Sequence, residues 1–335
     1  MRVSVVGCGN ISKCHFNAIE KIKNAEISSV VDIIPERAEE AAKKYNCKAY
    51  CDYMTMLNED APDCVHICTP HYLHVDMAVE ALNRGINVLC EKPCAISSDG
   101  LKKLRLAQLM STAQYGVCFQ NRYNQSAIIV KHLIDNEAYG KVITARAFVN
   151  WCRDEDYYND DWHGIKAKEG GGVLVNQAVH TLDLLTYFLN RNIRTVNGHI
   201  FNDHLKDIIE VEDTVSARFV FDGGVAALFN ATTGYGTDAD VLVDIVCEKA
   251  TVRLEGENAY VIKNNSSIER FEVEEQSEFI GKKYWGNGHQ SLISDFYDCI
   301  VTGRKFPVDA VEGGKSVEAF LAVYESAESG KEVTL

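Results

Sequence analysis

The chain has 335 residues, more than one compact domain usually holds, and its 46% hydrophobic and 24% charged residues are typical of a globular protein. Its formal net charge of −14, without any run of Lys and Arg, argues against a nucleic acid or an anionic membrane as the partner. The 12 cysteines form no CxxC pair, so we expect reduced side chains, no metal centre and a cytoplasmic location.

The first 120 residues alternate short apolar strands with helices. The predicted strands are residues 2–6, 27–31, 64–68, 86–90 and 115–119. This alternation predicts parallel βαβ units, and therefore an α/β domain of residues 1–120 with a doubly wound, Rossmann-type parallel sheet. The ligands of such sheets bind at the carboxyl ends of the strands.

From residue 121 onward, several strands follow one another across short turns. The predicted strands are residues 142–151, 214–221, 225–231, 241–247 and 250–254, and the predicted helices are residues 127–134, 172–189, 290–301 and 311–325. This order predicts a second, α+β domain of residues 121–335 with a largely antiparallel open sheet, whose last helix could pack back on the first domain. A sheet face without helices needs a partner, so we expect a homodimer or homotetramer formed through it.

The stretch GCGNIS, residues 7–12, lies at the turn between the first predicted strand and helix. Gly7 permits a tight turn, and Gly9 lets the backbone approach a pyrophosphate. Asn10 and Ile11 follow at the N-terminus of the helix, where the partial positive charge attracts an anion. The stretch therefore predicts a dinucleotide site.

Asp32 ends the next predicted strand, where an acidic side chain accepts hydrogen bonds from the ribose hydroxyls. Asp32 could instead cap the helix that follows it. Because a carboxylate repels a 2′-phosphate, Asp32 favours NAD over NADP as the cofactor. Arg37 on the following helix could soften that preference.

Two further strand ends supply candidate cofactor contacts. The stretch TPHYLH, residues 69–74, follows the third strand; Thr69, Pro70 and His71 are predicted to contact the cofactor, and His74 either contacts the ribose or caps the next helix. The strand at residues 86–90 runs into Glu91-Lys92-Pro93, and a charged pair is unusual at the end of a buried strand. The candidate cofactor contacts at these later strand ends are Glu91, Lys92 and Gln120.

A glycine-led segment lies in the second half, at residues 169–183. On the helix predicted over residues 172–189, Asn176, His180 and Asp183 fall at i, i+4 and i+7, and so on one face. A histidine among polar residues behind a glycine-rich entry favours an active site over a structural role. The spacing also permits metal ligation, but carboxylate or thiolate partners are not evident.

Taken together, four motifs resemble those of the Gfo/Idh/MocA oxidoreductases, which are NAD(P)-dependent dehydrogenases and reductases of sugars, sugar nucleotides and cyclitols. The motifs are GCGNIS at 7–12, TPHYLH at 69–74, CEKP at 90–93 and GGGVLVNQAVHTLDLL at 170–185. The resemblance also includes residues 157–164 and 285–296, and so nearly the whole chain. It implies that Lys92 is catalytic or positions the substrate, and that His180 is the acid/base.

Two positions depart from the family pattern. Asn176 stands where many members carry Asp, which weakens a strict Lys-Asp-His relay; it matches a subgroup with Asn-Gln before the histidine, which includes dehydrogenases of sugar-nucleotide uronates. His163 stands where related sequences often have arginine, so a carboxylate or sugar-nucleotide contact at that place is in doubt.

The resemblance implies an NAD(H)-dependent oxidoreductase that transfers a hydride between nicotinamide and a secondary hydroxyl of a sugar, glycoside, sugar nucleotide or cyclitol. His180 would move the proton, and Lys92 would polarise the reacting oxygen. Two alternatives stay open: an enzyme that retains NAD and oxidises its substrate transiently, for glycoside cleavage or epimerisation, and a non-catalytic NAD or ligand sensor. The candidate substrate contacts are Arg122, Tyr158, Trp162, Asn176 and Asp183.

Overall fold

The computed structural model describes residues 1–273 and 288–335, which form two compact units. The first unit contains residues 1–120 and 288–314, and the second contains residues 121–273 and 315–335. Within these described ranges, no helix is long and apolar enough to cross a membrane.

The first unit contains a six-stranded sheet. Its strands are β1 (Arg2–Val6), β2 (Glu26–Val31), β3 (Lys48–Tyr50), β4 (Cys64–Ile67), β5 (Asn87–Cys90) and β6 (Tyr115–Val117). Its helices are α1 (Ser12–Lys21), α2 (Pro35–Tyr45), α3 (Tyr53–Glu59), α4 (His74–Asn83), α5 (Ser98–Met110) and, from the later chain, α9 (Gly288–Thr302). All strands are parallel, in the order β3-β2-β1-β4-β5-β6, which confirms the predicted Rossmann-type sheet.

The central strands are buried on both faces. Every residue of β4 is buried, and so are four of the five residues of β1, which explains their nearly continuous apolar sequence. The edge strand β3 was not predicted, because Lys48 and Ala49 are exposed and the strand has no apolar run. Helix α3 was missed with it.

The helix that returns to the first unit is α9, and not the last helix as expected. Leu292, Ile293 and Phe296 of α9 are fully buried. Gly116 of β6 makes room for two rings of this later segment, since a Cβ there would lie 2.9 Å from Phe306 and 3.0 Å from Phe296. The second unit is therefore interrupted, whereas the sequence prediction ran it without a break from residue 121 to 335.

The second unit contains a nine-stranded sheet. Its strands are β7 (Val142–Asn150), β8 (Ile193–Phe201), β9 (Thr214–Phe221), β10 (Ala226–Thr232), β11 (Leu242–Cys247), β12 (Ala250–Glu255), β13 (Asn258–Lys263), β14 (Ile268–Phe271) and β15 (Val333–Thr334). Its helices are α6 (Gln125–Asp135), α7 (Lys166–Glu169), α8 (Val179–Leu189) and α10 (Gly314–Ser329). The order is β14-β13-β12-β11-β7-β10-β9-β8-β15, and only β7 and β10 pair in parallel. The prediction of a largely antiparallel sheet is confirmed.

Strands β7, β9 and β10 alternate buried and less buried residues, as strands with one covered face do. The sequence prediction missed β8, β13, β14 and β15. In β8 the alternation is broken by Gly198, whose missing side chain accommodates Val323 of α10: a Cβ would lie 2.8 Å from that side chain. The residue pattern of β8 is set by its packing against α10, which comes much later in the chain. The local sequence therefore gives no signal for this strand.

Candidate active site

The turn between β1 and α1 leaves the N-terminus of α1 open. Gly7 has φ +90°, and a Cβ there would lie 2.6 Å from the carbonyl oxygen of Cys68, so only glycine fits. A Cβ at Gly9 would meet nothing within 4 Å, and the space beside Gly9 is therefore open to a ligand. Ile11, at the N-cap of α1, makes no side-chain capping hydrogen bond, and Asn10 beside it is exposed. The first N–H groups of α1 can therefore receive an anion.

The Asp32 carboxylate is fixed at the end of β2. One oxygen accepts a hydrogen bond from the backbone N–H of Cys8 over 2.8 Å, and the other accepts from the N–H of Ile34 over 2.9 Å. Each oxygen keeps a further lone pair, so the carboxylate can also accept from ribose hydroxyls. Arg37 lies exposed on α2. Burial, followed by the charge of Asp32, raises the pKa of the Cys8 thiol to about 12, so the thiol in this turn is neutral.

His74, a predicted cofactor contact, is hydrogen-bonded within the chain at both ring nitrogens. It is fully buried, and its two ring nitrogens lie 2.8 Å from the carbonyl oxygens of Pro93 and Thr69. His74 thus ties the loop after β4 to the loop after β5. His71 is buried beside it, with ring centroids 5.7 Å apart, and Pro70 is half-buried at the same strand end.

Glu91 and Lys92 follow β5 directly and face different surroundings. The Glu91 carboxylate, predicted as a cofactor contact, is turned inward, 2.9 Å from Nε2 of His15. Lys92 is only half-buried, and the Lys92–Pro93 peptide bond is cis. Gln120, which follows β6, is buried. Lys92 is therefore the more accessible member of the charged pair.

In the second unit, the glycines before α8 admit another segment of the same chain. A Cβ at Gly172 would overlap the carbonyl oxygen of Glu212, so the close approach needs glycine. The Glu212 carboxylate accepts hydrogen bonds from the N–H groups of Gly172 and Leu174, each over 3.0 Å, and from the Tyr324 hydroxyl over 2.9 Å. Burial raises the pKa of Glu212, and these hydrogen bonds only partly offset that effect. The glycine-rich entry is thus anchored from within the unit.

Helix α8 begins at Val179, and not at residue 172 as predicted. The N–H of Ala178 reaches back five residues, to the carbonyl of Val173 over 2.7 Å, so the segment before Val179 is turn and not regular helix. His180 is half-buried in the first turn of α8, whereas Asn176 lies in the preceding turn. The predicted one-face arrangement with Asp183 is therefore wrong.

The amide of Asn176 is oriented by a buried carboxylate. Its Nδ2 donates to Oε1 of Glu169 over 2.5 Å, and the other oxygen of Glu169 accepts from the N–H of Gly164 over 2.6 Å. Glu169 is fully buried. An aspartate at position 176 would place two carboxylates at this distance, which explains why the chain carries Asn there: the negative charge sits on Glu169 instead.

Arg122 and Asp183, both predicted as substrate contacts, form an ion pair. Nε and Nη2 of Arg122 donate to the two carboxylate oxygens of Asp183, each over 2.7 Å, and both residues are buried. The guanidinium lies over the ring of Tyr187, 4.5 Å from its centroid. This bidentate pair joins the segment before α6 to α8.

Tyr157, and not the predicted Tyr158, lies among the polar residues before α8. Tyr158 is buried in an apolar cluster, and burial raises the pKa of its hydroxyl. The Tyr157 hydroxyl accepts from Nδ2 of Asn176 over 3.4 Å and from Nε2 of Gln177 over 3.3 Å. The cluster around Tyr158 consists of Leu205, Ile209 and Val211.

Trp162 and His163 extend this polar group. Their ring centroids are 3.7 Å apart, and His163 lies 4.8 Å from the ring of Tyr157. Nδ1 of His163 lies 2.5 Å from Asp160; burial alone would raise the pKa of Asp160, but the hydrogen bonds and charge of His163 hold it below its ordinary value. The guanidinium of Arg153 lies 5.2 Å from the Tyr157 ring and is paired with Asp238 over 2.7 Å.

Comparison with known families identifies both units. Residues 1–117 match the family described as oxidoreductase family, NAD-binding Rossmann fold, and residues 128–253 match the GFO/IDH/MocA C-terminal domain. The chain belongs to the Gfo/Idh/MocA oxidoreductases. The resemblance drawn from the four sequence motifs is thereby confirmed.

Relatives of this Gfo/Idh/MocA protein act on different polyols. D-glucoside 3-dehydrogenase of Escherichia coli K12 is 25% identical over 100% of this chain and 97% of its own length, and scyllo-inositol 2-dehydrogenase (NAD(+)) of Bacillus subtilis is 23% identical over 100% and 96%. The crystal structure of the WlbA dehydrogenase from Bordetella pertussis, in complex with NADH and UDP-GlcNAcA, is 27% identical with a TM-score of 0.87 and covers 100% of this chain and 98% of that one.

The first unit of this Gfo/Idh/MocA protein fits the NAD that its family binds. The open space at Gly9 lies at the uncapped start of α1, where a pyrophosphate is favoured. Asp32 offers carboxylate oxygens at the end of β2. The open start of α1 and the Asp32 carboxylate are both held in place by hydrogen bonds within the chain, so the site is formed before a ligand binds.

Sequence reasoning missed Tyr157, Gln177 and Glu169. The signal for Gln177 was present, because it adjoins Asn176 in the glycine-led segment. For the tyrosine pair, Asp154 begins a short helical turn, Glu155–Tyr158, by accepting from the N–H of Tyr157, and that turn sends the two neighbouring rings to different surroundings. Glu169 gave no signal, since a charged residue beside glycines reads as exposed.

Proposed function

We propose that the protein is an NAD(H)-dependent dehydrogenase that oxidises a secondary hydroxyl of a neutral glycoside, free sugar or cyclitol, or reduces the corresponding ketone. The observation that carries the proposal is the polar group before and within α8. His180 follows the amides of Asn176 and Gln177, and both amides donate to the hydroxyl of Tyr157. An imidazole among hydrogen-bonding groups is suited to proton transfer at a hydroxyl.

The chemistry divides between the cofactor and the chain. Bound NAD would supply the hydride acceptor, or NADH the donor. In the proposed mechanism His180 takes the proton from the substrate hydroxyl during oxidation and returns it during reduction. The ammonium group of Lys92 donates a hydrogen bond to the same oxygen and stabilises its developing negative charge.

The charges in the second unit favour an uncharged substrate. Arg122 is paired with Asp183, and Arg153 is paired with Asp238, so both guanidinium groups have carboxylate partners within the chain. Beside the paired Arg153, the groups around Tyr157 are amides, imidazole and aromatic rings, which bind the hydroxyls and the apolar face of a sugar ring. We therefore place the substrate among pyranosides and cyclitols, with the C3 hydroxyl of a pyranoside as the favoured target.

The preference for NAD over NADP follows from Asp32. Its carboxylate already accepts from two backbone N–H groups and remains buried, so a 2′-phosphate would meet a fixed negative charge. Arg37 is exposed on α2 and carries the opposite charge. We propose that the fixed carboxylate decides the cofactor.

The open face of the second sheet supports a homodimer or homotetramer. On β10 the side chains of Ala227, Phe229 and Ala231 are buried, whereas Leu228 between them is 53% exposed. The same outer face carries a compact ion cluster in which the Asp244 carboxylate, almost fully buried, accepts from Arg146 and Arg253. A face on which an exposed leucine lies between Arg146 and Arg218, beside a neutralised carboxylate, is suited to contact with a second copy.

A substrate panel tests the proposed function. Purified protein is given NAD or NADP together with inositols, free hexoses, glycosides and UDP-sugars, and reduction of the cofactor is followed by absorbance. We expect NAD-dependent turnover of a neutral sugar or cyclitol. Turnover of a UDP-uronate alone would contradict the substrate assignment, and NAD that binds without any turnover would indicate a sensor. Nucleotide that copurifies and does not exchange would favour the transient-oxidation enzyme instead.

A further inference from the structure

A line of four buried polar side chains crosses the interior of the first unit and ends beside Lys92. The Tyr297 hydroxyl of α9 lies 2.9 Å from Nε2 of His66 on β4. Nδ1 of His66 lies 2.8 Å from Nδ1 of His15 on α1, and Nε2 of His15 lies 2.9 Å from Oε1 of Glu91. His15 and His66 are both 0% exposed. Polar groups this deeply buried are costly unless each is hydrogen-bonded, and here three elements meet to satisfy them.

The contacts fix where the protons are. An ionised Glu91 can only accept, so Nε2 of His15 carries a proton and its Nδ1 is the acceptor. Nδ1 of His66 must then donate to His15, which leaves Nε2 of His66 to accept from the Tyr297 hydroxyl. Burial, followed by the neighbouring His15, holds the pKa of His66 well below its ordinary value, so the ring is neutral. All three hydrogen bonds therefore point toward Glu91.

The groups facing Glu91 keep it ionised. Burial alone would raise the pKa of the Glu91 carboxyl, but the hydrogen bond from His15, with a smaller effect of the charge of Lys92, holds it below its ordinary value. The Cys118 thiol also hydrogen-bonds Glu91, and burial raises the pKa of that thiol well above its ordinary value, so it stays a neutral donor. His289 is buried, and burial lowers its pKa to about 4. Glu91 is thus the negative charge of this cluster.

The other end of Glu91 reaches the neighbouring backbone. Its second oxygen, Oε2, accepts from the backbone N–H of Lys92 over 3.4 Å. A carboxylate anion that is fixed beside a lysine favours the ammonium form of that lysine. The hydrogen-bonded line thus determines both the charge and the direction of the carboxylate that adjoins Lys92.

Part of this cluster has the donor atoms of a metal site, which is the alternative to a hydrogen-bonded network. Donor atoms of His15, Glu91 and Cys118 lie within 4.8 Å of one another. However, His15 and Glu91 are in direct contact at 2.9 Å, whereas two ligands held at about 2.0 Å around a tetrahedral metal lie about 3.3 Å apart. Both nitrogens of His15 also have hydrogen-bond partners. The geometry thus favours hydrogen bonds.

We propose that Tyr297, His66 and His15 form a positioning network, which fixes the Glu91 carboxylate against the backbone of Lys92 and so sets the orientation and the charge of that lysine. The inference rests on the catalytic role proposed for Lys92. None of the three network residues need touch the substrate or the cofactor. Tyr297 and His66 act on the reaction only through His15 and Glu91.

The first test is independent of activity. NMR of isotope-labelled histidine side chains in the wild-type protein should show His15 as the Nε2–H tautomer and His66 as the Nδ1–H tautomer, with the His66 ring not titrating across the neutral range. The opposite tautomers, or a charged His66, would overturn the network. Stoichiometric zinc in the purified protein that is lost in a Cys118→Ala variant would also overturn it, because the metal would replace these hydrogen bonds.

The second test uses His66→Phe and Tyr297→Phe, with Tyr53→Phe as the matched control. Tyr53 is a buried hydroxyl of the same unit that donates to the Met77 carbonyl over 2.8 Å, outside the network. We expect His66→Phe to lower kcat about tenfold, Tyr297→Phe to lower it less, and NAD affinity to be unchanged in both. The alkaline limb of the kcat profile should also move to lower pH in His66→Phe, because His15 then loses the partner that fixes its ring, and a Glu91 carboxylate held less firmly beside Lys92 stabilises the ammonium form less.

The outcomes separate the inference from the proposed function. If His66→Phe lowers thermal stability but keeps the wild-type kcat and pH profile, the network is only structural and the proposal is overturned. If the wild-type protein turns over none of the panel substrates, the proposed function fails, and the NMR experiment still decides the state of the network.

Discussion

Asn176 decides where a negative charge lies in the second unit. Its amide donates to the buried Glu169, so the site carries one carboxylate and a neutral amide within 2.5 Å. A relay that ends on an aspartate at position 176 is therefore excluded in this chain. The amide leaves its own oxygen as an acceptor.

Asn176→Asp should destabilise the protein in a pH-dependent manner. Two carboxyl groups at this distance share one proton, so the pKa of the pair in the folded protein is raised above its unfolded value. Stability is then lost as pH rises through that pKa and regained in acid. We expect a loss of about 1–3 kcal/mol in the free energy of unfolding at neutral pH, measured by denaturant unfolding at several pH values.

Asn159→Asp is the matched control for this change. The Asn159 amide donates to the Asp156 carboxylate over 3.2 Å, but both side chains are exposed. Water screens the two charges there, so the control should lie within about 0.5 kcal/mol of wild type. Equal effects of the two substitutions would contradict the burial argument.

At the scale of elements, the turn between β1 and α1 separates a folding role from a binding role. Gly7 is required by the backbone, since a Cβ would lie 2.6 Å from the Cys68 carbonyl oxygen, whereas a Cβ at Gly9 meets open space. The two glycines of one motif therefore serve different purposes. The first allows β1 to pack against the end of β4, and the second keeps the start of α1 accessible.

Gly9→Ala should fold normally and bind NAD weakly, whereas Gly7→Ala should be destabilised. For Gly9→Ala we expect an unchanged melting temperature without ligand and a Kd for NAD raised about tenfold or more, measured by calorimetry, because the methyl group occupies the approach of the pyrophosphate. For Gly7→Ala we expect a loss of about 1–3 kcal/mol in the free energy of unfolding. If Gly9→Ala binds NAD as the wild type does, the pyrophosphate does not pass over this residue.

The sequence allowed the prediction of helices and strands that have a local pattern. It did not allow the prediction of side-chain contacts between residues far apart in the chain. The apolar runs of β1, β4 and β5 predicted the first sheet, and the glycine motifs predicted the places of Gly7 and His180. The ion pair of Arg122 joins residues 61 positions apart, and the contact of Glu91 with His15 joins residues 76 positions apart. Arg122 and Glu91 were predicted to contact ligands, because no residue near them in the sequence indicates their partners within the chain.

At the scale of the molecule, the second sheet has an outer face that residues 1–273 and 288–335 leave partly exposed. Leu228 of β10 is 53% exposed on this face and lies opposite Arg146 of β7. Exposed apolar groups of this size on a sheet face are typical of a contact between subunits. The proposed homodimer or homotetramer would form through this outer face.

Leu228→Arg should dissociate the proposed oligomer. A charge at the centre of the face would be buried without a partner in the assembly, and its desolvation opposes association. We expect the wild type at the mass of a dimer or tetramer and the variant at a smaller mass, measured by light scattering after gel filtration. Leu109→Arg, at an 80% exposed residue of α5 in the first unit, is the control and should leave the mass unchanged. A wild-type mass for Leu228→Arg would place the interface elsewhere.

The central claim is that Lys92 and His180 perform the chemistry while the rest of the first unit binds NAD. It is tested most directly by kcat and by NAD affinity in Lys92→Ala and His180→Ala, with the exposed Lys102→Ala and His132→Ala as controls. We predict that each of the first two variants loses about 10²-fold or more in kcat and keeps the wild-type Kd for NAD, while the controls keep both. A wild-type kcat in Lys92→Ala or in His180→Ala would contradict the account and remove that residue from the mechanism.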